Sequence, residues 1–207
     1  MGKDEGSRLF DTIAPIYGLF FHWQRRRFLR IMEDMQKELD LSGYNTALDV
    51  GCGTGALCSV LSDKGLKVTG VDPAARMLSA AGGRPENKGV TFIRASALER
   101  LPFEDKSFDI VIASYVAHGL QKEGRKKLYA QMGRLARNKV VIHDYNQNRS
   151  PLISLIEWLE HGDYFGFIKA ARDEMENCFS DMRQCFAFVQ VADVGPNAAW
   201  YICTPRE

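Results

Sequence analysis

The sequence has no long apolar run. Its most apolar early stretch, residues 13–21, is interrupted by Pro15. It is also shorter than the roughly 20 residues that a membrane-spanning helix needs. The chain opens on Lys3, Asp4 and Glu5, without the apolar core of a secretory leader, so a cytoplasmic setting is expected. Gly6 stands where a myristoylation signal carries Ser or Thr. Charge of one sign is lacking too. The 27 Lys and Arg residues face 26 Asp and Glu, and the formal net charge of +1 gives no pointer to nucleic acid or an anionic surface. The one basic cluster, Arg25, Arg26, Arg27 and Arg30, reads as the solvated face of a helix. Cysteine is sparse: the five residues Cys52, Cys58, Cys178, Cys185 and Cys203 include no C-x-x-C pair. A disulfide framework or a metal site is therefore not expected, and a reducing compartment fits. Nothing in the pattern speaks to oligomeric state.

What is present is enough apolar material for a core. Hydrophobic residues make up 45% of 207, which excludes a disordered chain and predicts one domain over residues 1–207. Residues 19–39 carry a helical pattern, with Phe28, Ile31, Met32, Met35 and Leu39 on one face. A short apolar strand follows at 47–50, then a glycine turn and a helix with Leu57, Val60 and Leu61 inward. Strands are predicted at 68–71, 90–93, 108–113 and 140–142. Between them lie a helix that Pro73 would open at its first turn and that ends near Gly82, and a helix with Leu128, Met132 and Leu135 inward. Short strands that are apolar throughout and alternate with helices predict a mostly parallel, doubly wound sheet. After strand five, residues 150–180 read as a helical insert carrying Trp158, Tyr164, Phe165, Phe167 and Phe179. Two final strand-like runs, 185–191 and 198–203, predict an antiparallel hairpin at a sheet edge.

The most informative segment is Asp49-Val50-Gly51-Cys52-Gly53-Thr54-Gly55, between a strand and a helix. Glycines there permit a tight turn and a close approach of backbone to a ligand. The helix start offers free N–H groups to an anion. Asp72, about twenty residues on, stands at the tip of the next strand, where a carboxylate can accept ribose hydroxyls. Gly51-x-Gly53-x-x-Ala56 also satisfies the looser NAD fingerprint, so an NAD(P)-dependent oxidoreductase remains open. Asp49 favours a cationic ligand over a pyrophosphate, which a nearby carboxylate would repel. No Tyr-x-x-x-Lys pair of the short-chain oxidoreductases is present.

The loop resembles the glycine-rich motif of class I S-adenosylmethionine (SAM)-dependent methyltransferases. Val71-Asp72-Pro73 with Met77-Leu78 is similar to their second motif. Leu101-Pro102-Phe103 with 107–111 is similar to their approach to strand four. Phe10-Asp11 and Ala14-Pro15-x-Tyr17 resemble the N-terminus of the ubiquinone/menaquinone-biosynthesis type. The resemblance implies a Rossmann-like sheet of order 3-2-1-4-5-7-6 and SAM as cofactor, with S-adenosylhomocysteine as product. It implies that Gly51, Cys52, Gly53 and Gly55 wrap the methionine part and that Asp49 lies beside the loop. By the same resemblance Asp72 and Pro73 belong to the ribose site, Met77 packs near the adenine, Ser96 and Ala97 meet its edge, and Ser114 and Tyr115 flank the methyl site. Ser96 stands where the family often has Asp. Arg137-Asn138-Lys139 replace its Pro-Gly-Gly turn.

Methyl transfer is an in-line displacement that asks the protein mainly for alignment, and a base is needed only for a protonated nucleophile. His118, His143 and Tyr145 are the catalytic candidates, all at the carboxyl edge of strands four and five. His118 reads equally as a base or as a helix-start residue bonded to backbone; Asp144 reads as a capping carboxylate. Tyr17 would close over the cofactor or pack its own helix. The N-terminal helix and the insert would cover the active site, and the acceptor reads as a small organic molecule. A non-catalytic SAM-binding protein also remains open.

Overall fold

The computed structural model describes residues 18–146 and 181–206. Seven strands form one sheet in the order β3-β2-β1-β4-β5-β7-β6, as the resemblance implies. By its contacts the chain divides into two units, residues 1–96 and 97–207.

In the first unit, helix α1 (Phe21–Asp34) precedes strand β1 (Thr46–Val50), helix α2 (Ala56–Asp63), strand β2 (Lys67–Asp72), helix α3 (Ala75–Gly82) and strand β3 (Thr91–Arg94). β1 pairs with β2, and β2 with β3, all parallel. Leu48, Val50, Val68 and Val71 are buried, as strands covered on both faces require. Helix α1 ends five residues before the predicted Leu39. Met35 leaves helical geometry with ψ 10°, and Leu39 follows in a turn whose N–H donates to Met35 O at 2.9 Å. Ile31, Met32, Met35 and Leu39 are all buried, so the apolar stripe outlasts the helix that began it. Pro73 does not open α3. It stands exposed in a bend two residues before Ala75, with Ala74 as the N-cap. Among the described arginines of the basic cluster, Arg26 and Arg30 are exposed, whereas Arg25 pairs with Asp63.

The second unit holds β4 (Phe108–Ser114), helix α4 (Lys122–Leu135), β5 (Ala136–Tyr145), β6 (Phe186–Asp193) and β7 (Ala198–Pro205). β4 and β5 are parallel; β7 runs antiparallel to both β5 and β6, giving the expected hairpin with β6 outermost. β5 is far longer than the predicted 140–142. Arg137, Asn138 and Lys139 are part of the strand rather than a turn, and α4 runs directly into it. Polar residues are tolerated because Arg137 and Asn138 are exposed. Arg137 donates to Asp109 Oδ1 at 2.5 Å, and Lys139 Nζ to Thr204 Oγ1 at 2.9 Å. An irregularity between Phe108 and Ile110 absorbs the extra residue of register. The predicted insert 150–180 lies outside the described residues.

Candidate functional site

In the first unit the glycine loop closes the gap between β1 and α2. Gly51, Gly53 and Gly55 all have positive φ, at 73°, 52° and 78°. Such angles put a side chain against its own carbonyl, so glycine is the residue that meets them cheaply. Gly51 and Cys52 donate their N–H groups to Val71 O at 2.8 and 3.1 Å, which ties the loop to β2. Gly53 and Gly55 differ in their surroundings. A Cβ on Gly55 would come within 2.4 Å of Asn87 Nδ2 and 3.0 Å of Phe92 Cζ, whereas a Cβ on Gly53 would meet nothing within 4 Å among the described residues. Gly55 thus makes room for the protein, and Gly53 borders open space.

Asp72, at the tip of β2, is nearly buried, and its carboxylate is engaged on both oxygens. Gly53 N–H donates to Oδ2 at 2.9 Å and Ala74 N–H to Oδ1 at 2.8 Å. The side chain therefore shapes the loop in addition to any ligand it holds. A carboxylate oxygen accepts more than one hydrogen bond, so this engagement is compatible with a hydroxyl donor. Helix α2 starts at Gly55 without a side-chain cap. The first N–H groups of a helix have no intrahelical partner, and an anionic end of a ligand satisfies them. Acceptor carboxylate, open glycine and uncapped helix start are the parts that the ribose and the amino-acid carboxylate of SAM require.

Asp49 corrects one expectation. A freely ionised carboxylate that would repel a pyrophosphate is not what the structure holds: Asp49 is sealed in the core at 1% exposure, with Cys58 Sγ donating to its Oδ2 at 3.2 Å. Burial raises its pKa to about 7, against the hydrogen bond from Cys58, and Asp72 adds to the rise. A carboxyl half-neutralised near pH 7 repels a pyrophosphate weakly, so the electrostatic argument against a dinucleotide loses most of its force. Cys52 is buried as well. Gly70 makes room for both sulfurs: a Cβ there would lie 2.9 Å from Cys52 Sγ and 3.0 Å from Cys58 Sγ. Burial pushes the Cys58 thiol well up, so neither geometry nor ionisation makes it a nucleophile.

Met77 is buried in α3, and Pro73 is exposed, its carbonyl accepting from Arg94 Nε at 3.1 Å. Ser96 and Ala97 follow β3, both half-buried. Tyr17 and the N-terminal motif residues Phe10 to Pro15 lie outside the described residues. Sequence reasoning missed Asn87. It is buried behind the loop and donates Nδ2 to Thr54 O at 3.4 Å and Ala81 O at 3.0 Å. It sits in a polar run, Pro85-Glu86-Asn87-Lys88, that reads as an ordinary turn and carries no periodic signal.

In the second unit the candidates converge on the carboxyl ends of β4 and β5. Ser114 pairs with His143 across the two strands. The Ser114 hydroxyl is inaccessible and finds no hydrogen-bond partner among the described residues. Tyr115 follows at φ 56° and donates its N–H to His143 O at 2.8 Å. Its ring centroid lies 4.7 Å from that of His143 and 5.1 Å from that of Tyr145. His118 sits in a 3-10 turn, Ala117–Gly119, and its Nδ1 lies 2.9 Å from Asp144 Oδ1. His118, His143 and Tyr145 are thus brought together. His143 is buried beside Trp200, while Tyr145 is half-buried. Asp144 does cap backbone, as expected, and in addition holds His118. Among the described residues no cluster has the makings of a metal site, and no helix is long and apolar enough to cross a membrane.

Three comparisons bear on this geometry. The profile of the Methyltransferase domain family matches residues 47–139, from β1 into β5. An uncharacterised methyltransferase of Mycobacterium avium is 38% identical over 167 residues, covering 78% of this chain and 63% of the relative. Among solved structures, a protein of Methanococcus maripaludis assigned as a SAM-dependent methyltransferase superposes with a TM-score of 0.71 at 15% identity, covering 95% of this chain and 94% of that one. A phosphoethanolamine N-methyltransferase of Haemonchus contortus, solved with SAM, gives a TM-score of 0.66 at 16% identity, covering 86% of this chain and 52% of that one. At such identities the structural matches speak for the fold. The chain spans between 25% and 63% of the length of the curated relatives it matches.

Proposed function

We propose that the chain is a class I SAM-dependent methyltransferase, as the match of residues 47–139 to the Methyltransferase domain family and the 38% identical relative support, and that it moves a methyl group from SAM to a nucleophile on a small organic acceptor. The observation that carries this reading is the pairing of Gly53, open on its Cα side among the described residues, with Asp72, whose carboxylate accepts from Gly53 N–H and so fixes the loop at the tip of β2. Asp72 accepts the ribose hydroxyls. Gly51, Cys52 and Gly53 line the methionine part, and the uncapped start of α2 receives its carboxylate. Gly55 contributes the turn and the room for Asn87. Pro73, Met77, Ser96 and Ala97 form the adenosine side, Tyr17 is assigned to the same cofactor, and Asp49 lies behind the loop.

When bound, SAM supplies a methyl group on a cationic sulfur, a good leaving group. The protein's task is alignment, which is worth ~7–11 kcal/mol in well-oriented reactions. Ser114, His118, His143 and Tyr145 line the acceptor side in this reading. The aromatic insert at 150–180, with Trp158 and Phe165, selects the acceptor. The same loop on an oxidoreductase would hold a dinucleotide, and Asp49 no longer argues strongly against that; the family match does. Mass spectrometry of small molecules released from the natively purified protein tests the proposal. SAM or S-adenosylhomocysteine at near-stoichiometric amounts is expected, and a nicotinamide dinucleotide in their place would overturn it.

A further inference from the structure

Asp144 is fully buried in the second unit. A buried carboxylate is costly unless several donors satisfy it. It has three from two residues: His118 Nδ1 at 2.9 Å and Tyr145 N–H at 2.8 Å on Oδ1, and the backbone N–H of His118 at 3.2 Å on Oδ2. Burial alone would push Asp144 up. The positive charge that His118 carries when protonated, and these hydrogen bonds, outweigh it and hold the carboxyl below its ordinary range. An ionised carboxylate only accepts, so the imidazole nitrogen facing it must carry the proton. The lone pair of the ring then belongs to Nε2.

The surrounding chain fixes this arrangement. Parallel pairing of β4 and β5 brings the ends of the two strands into register at Ser114 and His143. The chain then turns back through Tyr115 at φ 56°, a left-handed conformation that bulky residues rarely adopt. That turn places His118 over Asp144, with the Tyr145 ring centroid 4.8 Å and the Tyr115 centroid 6.3 Å from the imidazole. Capping the 3-10 turn needs one carboxylate oxygen and one backbone N–H. Asp144 commits its other oxygen to the ring of the same residue. Among the described residues, the ionisable groups around the imidazole are Asp144 and Tyr145 from β5 and Tyr115 after β4, with His143 beyond Tyr115.

We propose that Asp144 is a positioning residue that locks His118 as a general base, and that the methyl acceptor is a proton-bearing heteroatom: a hydroxyl, thiol or ammonium group. This rests on the methyl-transfer reading. As the acceptor's heteroatom forms its bond to the methyl carbon, the carbon–sulfur bond breaks with its electron pair left on sulfur. The acceptor's proton passes to His118 Nε2, and the carboxylate of Asp144 balances the imidazolium until water takes the proton.

Long-range proton–nitrogen NMR on the full chain labelled with nitrogen-15 histidine reads the tautomer directly, with His118→Gln assigning the signals. Neutral His118 in the wild type is expected as Nδ1–H, with Nε2 the nitrogen that titrates. Asp144→Asn should lose that preference, and Asp144→Glu, which keeps the carboxylate, should restore it. A wild-type His118 in the Nε2–H form overturns the proposal without reference to any variant. Catechol, dithiothreitol and 4-nitrophenol, the last ionised at pH 8, then serve as acceptor probes with SAM. Asp144→Asn and His118→Gln should lower kcat about 10²- to 10⁴-fold on the protonated probes and far less on the ionised one. An equal loss on all probes refutes the base role. The melting shift with S-adenosylhomocysteine, read on the same samples, reports separately on the methyl-transfer reading: a locked tautomer without any shift sinks that reading and leaves the dyad standing.

Discussion

Gly53 and Gly55 are two residues apart, share a left-handed backbone and play different parts. Adding a methyl group at either strains φ by about 1–2 kcal/mol. At Gly55 the new Cβ also collides with Asn87 Nδ2, so Gly55→Ala should lower stability well beyond that figure whether or not ligand is present. At Gly53 the Cβ meets no atom of the described residues within 4 Å, so Gly53→Ala should lose little more than the strain and instead abolish the ligand-induced rise in melting temperature. Melting curves of both variants with and without S-adenosylhomocysteine distinguish them; a full ligand shift in Gly53→Ala would remove Gly53 from the cofactor site. Asp49 gives a second prediction. In the unfolded chain it ionises near its ordinary 3.8, but in the fold it holds its proton to about 7. The folded state therefore binds more protons between these values, and stability falls as pH rises through that window. The loss is about 4 kcal/mol and complete above pH 7. Asp49→Asn removes the titration. Denaturant unfolding should show its stability relative to wild type improving by roughly that amount between pH 4 and pH 8; a pH-independent difference would mean that Asp49 ionises normally.

Among the elements, the strands were legible because burial on both faces leaves little but Ala, Val, Leu and Ile at β1 and β4. The hairpin was legible because its turn residues stand between two alternating runs. The start and length of β5 were not: Arg137-Asn138-Lys139 have the composition of a turn, and only their exposure, with Asp109 and Thr204 as partners, lets them stay in the ladder. The tail of α1 misled in the other direction, since Met35 and Leu39 keep the apolar period after the helical hydrogen bonds have stopped. The glycine loop and Asp72 could be read from spacing. Asn87, the Asp49–Cys58 contact and the Asp144–His118 pair could not, because each joins residues whose separation in sequence carries no pattern. Arg134, near the end of α4, is a further contact of this kind. It donates Nη1 to Phe103 O at 2.8 Å and Asp105 Oδ1 at 2.7 Å, and Nη2 to Leu101 O at 3.1 Å and Gln131 Oε1 at 2.9 Å. One side chain thus holds the whole approach to β4. Arg134→Met keeps the aliphatic stem and strands two carbonyls, and should cost about 2–4 kcal/mol in urea unfolding. A loss below 0.5 kcal/mol, the range of ordinary surface changes, would show that solvent satisfies the loop equally well.

For the molecule as a whole, the proposed function has a fold shared with dinucleotide enzymes turned to SAM. The parallel strands carry their candidate residues at the carboxyl ends, where ligands of open α/β sheets bind. Asp72 and the glycine loop serve either cofactor class, and the sealed Asp49 discriminates only weakly, so the ligand itself must decide. Isothermal titration calorimetry of the full chain with SAM, S-adenosylhomocysteine and NAD, each at the same pH and ionic strength, measures this directly. Saturable one-to-one binding of SAM and S-adenosylhomocysteine, with no heat of binding from NAD, is the predicted result. Saturable binding of NAD with no response to either sulfur compound would contradict the account.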